Sequence, residues 1–407
     1  MTDISNTLTQ FLESNIIPII KSKFHKTQFS IKSKHILEQL FNQIRNSNAM
    51  ASLDEFNVIK KQSDEIDYGK NFDWCPPEIK THIENMEKIQ YETAFEVDGR
   101  DVTVYLICNK KTTAESFQEV ISKIYIWLSI AFRYSSTKCS KRMNIYLHFT
   151  DLKKVLPKQG EPIREIHANT AFTTFCKPST EIHLFREEEW FKVLIHESFH
   201  CLGLDFSEFD HSETNKQVLS MFPVNSDVRI FETYCETWAE LLNTMFITFN
   251  LSNSSADNQK LIKKLEGALD QERVFSVFQC AKVLNFYGLD YSDLYEKTTK
   301  AHLNRLHRYK ESTHVLSYYI IKSIFMFYIN DFVEWCVDHN ELVLNFNKEP
   351  KQIKKNMTEY CGFIRERYNN VEYTSILSSI DSWFEEIHPH KMKSVELQTL
   401  RMTMHEF

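Results

Sequence analysis

Apolar residues recur at three- and four-residue spacing along most of this chain, and the spacing drops to two only in short runs between about residues 93 and 185. A stripe with one period cannot bury its face in the element of the other period, so this alternation fixes the order of elements. Leu8, Phe11, Leu12, Ile16 and Ile19, then Ile36, Leu37, Leu40, Phe41 and Ile44, predict N-terminal helices that close at Trp74-Cys75-Pro76-Pro77. Two β-type runs, 93–97 and 102–107, meet at Asp98-Gly99, a dipeptide suited to a two-residue hairpin. A helix at 114–134 follows, then strands at 144–149 and 181–185 with a β-prone stretch at 170–175 between them. A helix opening on Glu187-Glu188-Glu189 comes next, its acids placed at the positive end of the helix dipole. Helices are then predicted at 231–249, 258–284, 291–308, 314–330, 352–369 and 374–387. The expected fold is α+β and mainly helical. A helical N-terminal extension (1–88) leads to a small mixed α/β lobe (89–205) and a helical lobe (206–407), with a cleft between the two lobes.

Composition removes several function classes. Only 7 glycines occur in 407 residues, and none forms a G-x-G or phosphate loop, which sets aside dinucleotide and P-loop chemistry. A net charge of −7 disfavours nucleic acid and anionic membrane as partners. The basic runs at 21–34 and 351–355 read as solvated faces. The longest apolar stretches, 124–132 and 315–329, are shorter than the roughly 18 residues of a membrane span. The start, MTDISNTLTQFLE, lacks a basic segment ahead of an apolar run, so no leader is expected. The 9 cysteines are odd in number and at least 25 positions apart, the pattern of reduced core thiols.

One segment carries chemistry. Trp190-Phe-Lys-Val-Leu-Ile-His196-Glu197-Ser-Phe-His200 contains HExxH within an apolar helical pattern. Histidines at i and i+4 stand one above the other, so both imidazoles reach one zinc ion while the glutamate lies beside the water it activates. A catalytic zinc takes a third protein ligand. Glu232, Glu236 and Glu240 share one face of a downstream apolar helix, where they repel one another unless positive charge faces them. His211 is the other candidate. HESFHCLGLDF follows the metzincin pattern HExxHxxGxxH through Gly203, but Phe206 stands where the third histidine belongs; Ser220-Met221-Phe222-Pro223 resembles a Met-turn.

HExxH followed by Glu236-Thr-Trp-Ala239-Glu240 resembles the gluzincin metallopeptidases, the thermolysin and neprilysin group. The resemblance implies that Glu236 is the third zinc ligand and that Glu240 orients His196, with Glu232 as the fallback ligand. It also implies a zincin-like cleft in which substrate backbone pairs with an edge strand, here Ala171, Phe172 and Thr173 within the stretch 168–173. The order of NTAFTTF, FREEEWFKVLIHESFH and FETYCETWAELLN is similar to zinc metallopeptidases of large nucleocytoplasmic DNA viruses, which implies action in a virion or host cytoplasm. Glu197 is then the general base, and a transition-state donor is sought downstream. His314 and Tyr318, at i and i+4 of an apolar helix, are the candidates; His302 and His307 lie in polar surroundings. Cys201 and Cys235 read as structural thiols, and Trp190 and Trp238 as packing between the two helices. The expected activity is zinc-dependent hydrolysis of peptide or protein substrates. The alternatives are a non-catalytic virion or scaffold protein that keeps the fold, and a metzincin-like site with His211.

Overall fold

Asp98 and Gly99 turn the chain with φ of 50° and 71°, so Val97 pairs with Arg100 and a long antiparallel hairpin follows. In the computed structural model, which describes residues 2–52, 56–61, 65–109, 113–252, 256–387 and 394–406, this hairpin is part of a mixed six-stranded sheet. Its strands are β1 (Ile59–Lys61), β2 (Lys88–Val97), β3 (Arg100–Asn109), β4 (Arg142–His148), β5 (Ala171–Thr173) and β6 (Ser179–Leu184), in the order β1-β2-β3-β4-β6-β5. Strands β3, β4 and β6 are parallel; β5 closes one edge antiparallel to β6. With helices making up most of the remaining chain, the fold is α+β and mainly helical.

The period of two sorts the sheet into two faces. Val104, Leu106, Ile145, Leu147, Ile182 and Leu184 enter the main core, which also holds the helix Ala114–Ala131. Tyr146, His148, Glu181 and His183 point the other way, into a smaller layer with Tyr68, Phe72 and Phe172. The helices expected to form an extension are not separate from the rest. Leu8, Leu12, Leu37, Leu40 and Phe41 belong to the same apolar cluster as the C-terminal helices.

Several boundaries differ from the sequence reading. The helix after β6 starts at Trp190, and Glu187–Glu189 form a turn in which Glu189 takes φ of 60°. Glu188 and Glu189 are buried and hold cations, so they are not first-turn acids: Lys154 Nζ lies 2.7 Å from Glu189 and Arg401 3.3 Å from Glu188. The helix expected at 291–308 breaks after a short turn at Tyr291–Leu294 and restarts at Thr299–Arg308, where the Thr298 hydroxyl accepts from Ala301 N–H. The one expected at 314–330 opens as a wide π-type turn, Leu316–Ile321, and Tyr328 divides its remainder from the helix Ile329–His339. Strand β1, the hairpin Asn340–Leu342/Asn345–Phe346 and the helix Ser212–Met221 had no strong periodic signal. No helix among the described residues is long and apolar enough to cross a membrane.

The cysteine reading needs one correction. Cys139 and Cys176 form a disulfide with Cα atoms 4.8 Å apart, because the turns ahead of β4 and β6 meet beneath the HExxH helix. Gly203 caps that helix with φ of 62°; a Cβ there would meet Cys176 Cβ at 3.3 Å and Cys139 Sγ at 3.4 Å. The other seven cysteines are buried and lie outside this bridge. Non-reducing peptide mapping should recover Cys139 linked to Cys176. Cys139→Ser should lower stability by about 2–4 kcal/mol in a denaturant titration; a midpoint equal to the parent's would exclude the bridge.

Candidate metal centre

The HExxH helix, Trp190–Cys201, is buried along its whole length, so each polar side chain on it requires a partner. It crosses a second buried helix, Ile230–Asn250, which carries the three glutamates. Trp127 of the sheet-covering helix donates to Ser198 Oγ at 3.1 Å and fixes the outer side of the HExxH helix. Between the two helices the aromatic contacts are Phe191 on Phe246 and Phe199 on Tyr234. Trp190 and Trp238, expected there, pack on Phe149 and Phe332 instead, since each points away from the crossing.

At the crossing, His196 Nε2 lies 3.1 Å from His200 Nε2 and 3.1 Å from Glu232 Oε2, and the third edge of the triangle, His200 Nε2 to Glu232 Oε2, is 3.5 Å. A tetrahedral zinc with bonds of about 2.0–2.1 Å needs donors roughly 3.3 Å apart, so these three atoms fit one ion. Glu232 thus takes the place expected for Glu236. Glu236 lies one turn on, where its Oε1 is 3.0 Å from His196 Nδ1 and its Oε2 accepts from the Lys192 ammonium. That is the orienting contact expected of Glu240. Glu240 is instead fully buried against Lys322. The registers of all three acids are therefore shifted by one helical turn from the expectation. The reason is Lys192, four residues before His196, which claims Glu236.

His200 is held in the same way. Its Nδ1 is 2.6 Å from Asp205 Oδ2, and Asp205 also accepts from Ser207 Oγ. Cys235 Sγ sits 3.8 Å from that ring nitrogen and 3.7 Å from Asp205, so it contacts the site rather than filling distant core. His200, Asp205 and Cys235 could by spacing hold a cation of their own. Since they use Nδ1, they read as the support of a ring whose Nε2 faces the triangle. Cys201 is a buried thiol, pushed up to about 12 by burial.

Burial lowers the proton affinity of His196, but the carboxylates of Glu236 and Glu232 outweigh it and raise the imidazole to about 9. His200 is raised against burial by Cys235, Asp205 and Glu232. Both rings thus sit in a field that attracts a cation, which a metal would satisfy by displacing protons. Glu197 differs. It has no hydrogen-bond or ion-pair partner among the described residues, and burial raises its carboxyl above the usual range, with the two histidines acting in the opposite sense. A poised, unpaired carboxylate beside a cation site suits proton transfer.

Tyr318 lies on the π-type turn over this centre, its ring 6.4 Å from His196, and burial together with the nearby carboxylates of Glu232, Glu236 and Glu197 raises its phenol. Ser317, beside it, is tied to the glutamate helix by Thr233 Oγ1 donating to its carbonyl at 3.0 Å. His314 is farther out: its Nδ1 is 3.3 Å from the Asp227 carbonyl and its ring touches Tyr318, so it stands near the mouth. Of the expected substrate-binding residues, Ala171 lines the cleft together with Glu197 and Tyr318. Thr173 faces the HExxH helix, while Phe172 stacks on His183 behind the sheet, as alternation along a strand requires. His211 does not join the cluster; its ring packs between Phe206 and Phe231 because the 207–211 turn carries it outward to the start of the next helix. Sequence reading missed Lys192, Asp205, Lys322 and Met402. Lys192 had a visible signal, a lone cation inside an apolar helix four residues before the first histidine.

No protein-family model matches the chain, and no curated protein or solved structure matches it.

Two substitutions separate the roles of the acids. Glu232→Gln should abolish zinc retention through dialysis. Glu236→Gln should keep zinc with affinity reduced about 10–100-fold and should lower stability by about 3–5 kcal/mol, because Lys192 is left unpaired. Zinc content and thermal melts of the two proteins check this, and loss of zinc by Glu236→Gln alone would reverse the assignment.

Proposed function

We propose that the chain is a zinc-dependent peptidase of gluzincin type, with His196, His200 and Glu232 as the metal ligands and Glu197 as general base. The observation that carries the reading is the triangle of two imidazole nitrogens and one carboxylate oxygen, with an unpaired carboxylate on the next residue of the same helix. Zinc held there would polarise a carbonyl and bring the pKa of water towards neutrality. Glu197 takes a proton from the attacking water and returns it to the departing amine. Tyr318, which lines the cleft beside Glu197, offers its phenol to the developing oxyanion. Such a preorganised donor is worth about 10²–10³ in turnover. Glu236 and Asp205 hold the two rings in the tautomer that leaves Nε2 free.

Among the described residues no strand neighbours the outer edge of β5, so its main-chain groups can pair with an extended peptide. Ala171 of that strand lines the cleft beside Glu197. A peptide or protein is accordingly the expected substrate. The likeness of the motifs to those of large DNA viruses suggests a virion or host cytoplasm as the place of action.

Glu197→Gln should retain zinc and lose cleavage of a peptide library. Tyr318→Phe should reduce kcat about 10²–10³-fold with little change in KM. A parent protein that binds zinc and cuts no member of a broad library would favour the scaffold reading over the peptidase.

A further inference from the structure

The cavity that adjoins the metal centre is small, about 30 Å³, and one of its walls comes from far along the chain. It opens beside His196 and Glu197, and its lining includes Ala171, Val193, Tyr318 and Met402 together with the charged Lys154 and Glu236. The volume accommodates about two water-sized groups, comparable to a methyl or hydroxymethyl and too small for a branched or aromatic side chain.

Met402 belongs to a buried segment, 399–405. Glu189 accepts the N–H groups of Met402 at 2.8 Å and Thr403 at 2.7 Å. Glu272 accepts those of Met404 at 2.9 Å and His405 at 2.8 Å. The Met402 carbonyl accepts from Lys322 at 2.8 Å, and its sulfur lies 3.9 Å from Lys192. Each of these anchors is a buried charge whose release would cost several kcal/mol. The main chain that carries the thioether is therefore fixed beside the cavity. Val193 lines the same cavity from the buried HExxH helix.

We infer that this cavity receives a substrate side chain next to the scissile bond, that it selects glycine, alanine or serine there, and that Met402 is the residue that sets the limit. The inference rests on the peptidase reading and adds the substrate class to it. A carbonyl placed at the triangle and within reach of Glu197 leaves one flanking residue directed at this space. A side chain larger than the space meets the Met402 thioether and Val193.

The test uses the zinc-loaded full chain and two readouts. In the first, peptides vary Gly, Ala, Ser, Val, Leu and Phe at each position beside the cleaved bond. One of the two flanking positions should favour Ala over Leu about 10–200-fold in kcat/KM. In the second, calorimetry measures binding of peptide hydroxamates that differ only in a hydrogen, methyl, isobutyl or benzyl side chain, which reports the cavity without turnover. The methyl compound should bind best and the benzyl compound worst. Met402→Ala should narrow the Ala-to-Leu ratio and Met402→Leu should preserve it; if Met402→Ala does not fold, Val193→Ala should narrow it instead. Equal binding of all four hydroxamates, or equal cleavage before and after Ala and Leu, overturns the inference and leaves the peptidase standing. Failure of every hydroxamate to bind, together with absent cleavage, overturns the metallopeptidase reading itself.

Discussion

Charge buried at the crossing of two helices governs the rest of the structure. Both helices lie almost entirely out of water, yet one carries Lys192, His196 and His200 at four-residue intervals and the other carries Glu232, Glu236 and Glu240 at the same interval. An isolated buried charge costs far more than a surface ion pair recovers. The side chains therefore alternate in sign across the interface: His200 against Glu232, Glu232 against His196, His196 against Glu236, Glu236 against Lys192. Sliding one helix by a turn would strand a cation or a carboxylate at each end. This condition fixes the register at which the imidazoles meet a carboxylate.

The surrounding elements make that crossing stable without closing it. The sheet supports the HExxH helix through the helix Ala114–Ala131, by way of Trp127 and Ser198. The Gly203 turn lies against the disulfide and brings Asp205 back to His200. Lys322 neutralises Glu240, and the same ammonium holds the Met402 carbonyl, so the segment that walls the cavity is tied to the charges beneath the site. Glu197 alone among the acids of the crossing remains without a cation of its own, and it faces the cleft. A carboxylate left without a cation at such a site fits the proton transfer proposed above.

Much of this was legible in the order of residues. The hairpin at Asp98-Gly99, strands β4 and β6 and the long helices 231–249 and 258–284 follow from period and turn chemistry, which act within a few residues. The i, i+4 histidines and the glutamate between them are equally local, because the helix alone sets their spacing. Elements that depend on distant partners were less visible. The three-residue strand β1 exists only because β2 offers it an edge, and the bridge between Cys139 and Cys176 joins two turns whose proximity no spacing rule contains.

The choice among Glu232, Glu236 and Glu240 marks the division between the two kinds of information. Sequence alone determined that three carboxylates share a helix face and that two imidazoles share another, since 3.6 residues per turn dictates both. It could not determine which carboxylate meets the imidazoles, because three sites at equal spacing are equivalent until a second helix is laid across them. The tertiary structure decided it by placing Lys192 on Glu236 and Lys322 on Glu240, leaving Glu232 for the histidines. It also brought Met402 to the cavity from a segment more than two hundred positions beyond His196, a contact made by chain folding and by buried hydrogen bonds that no local pattern encodes.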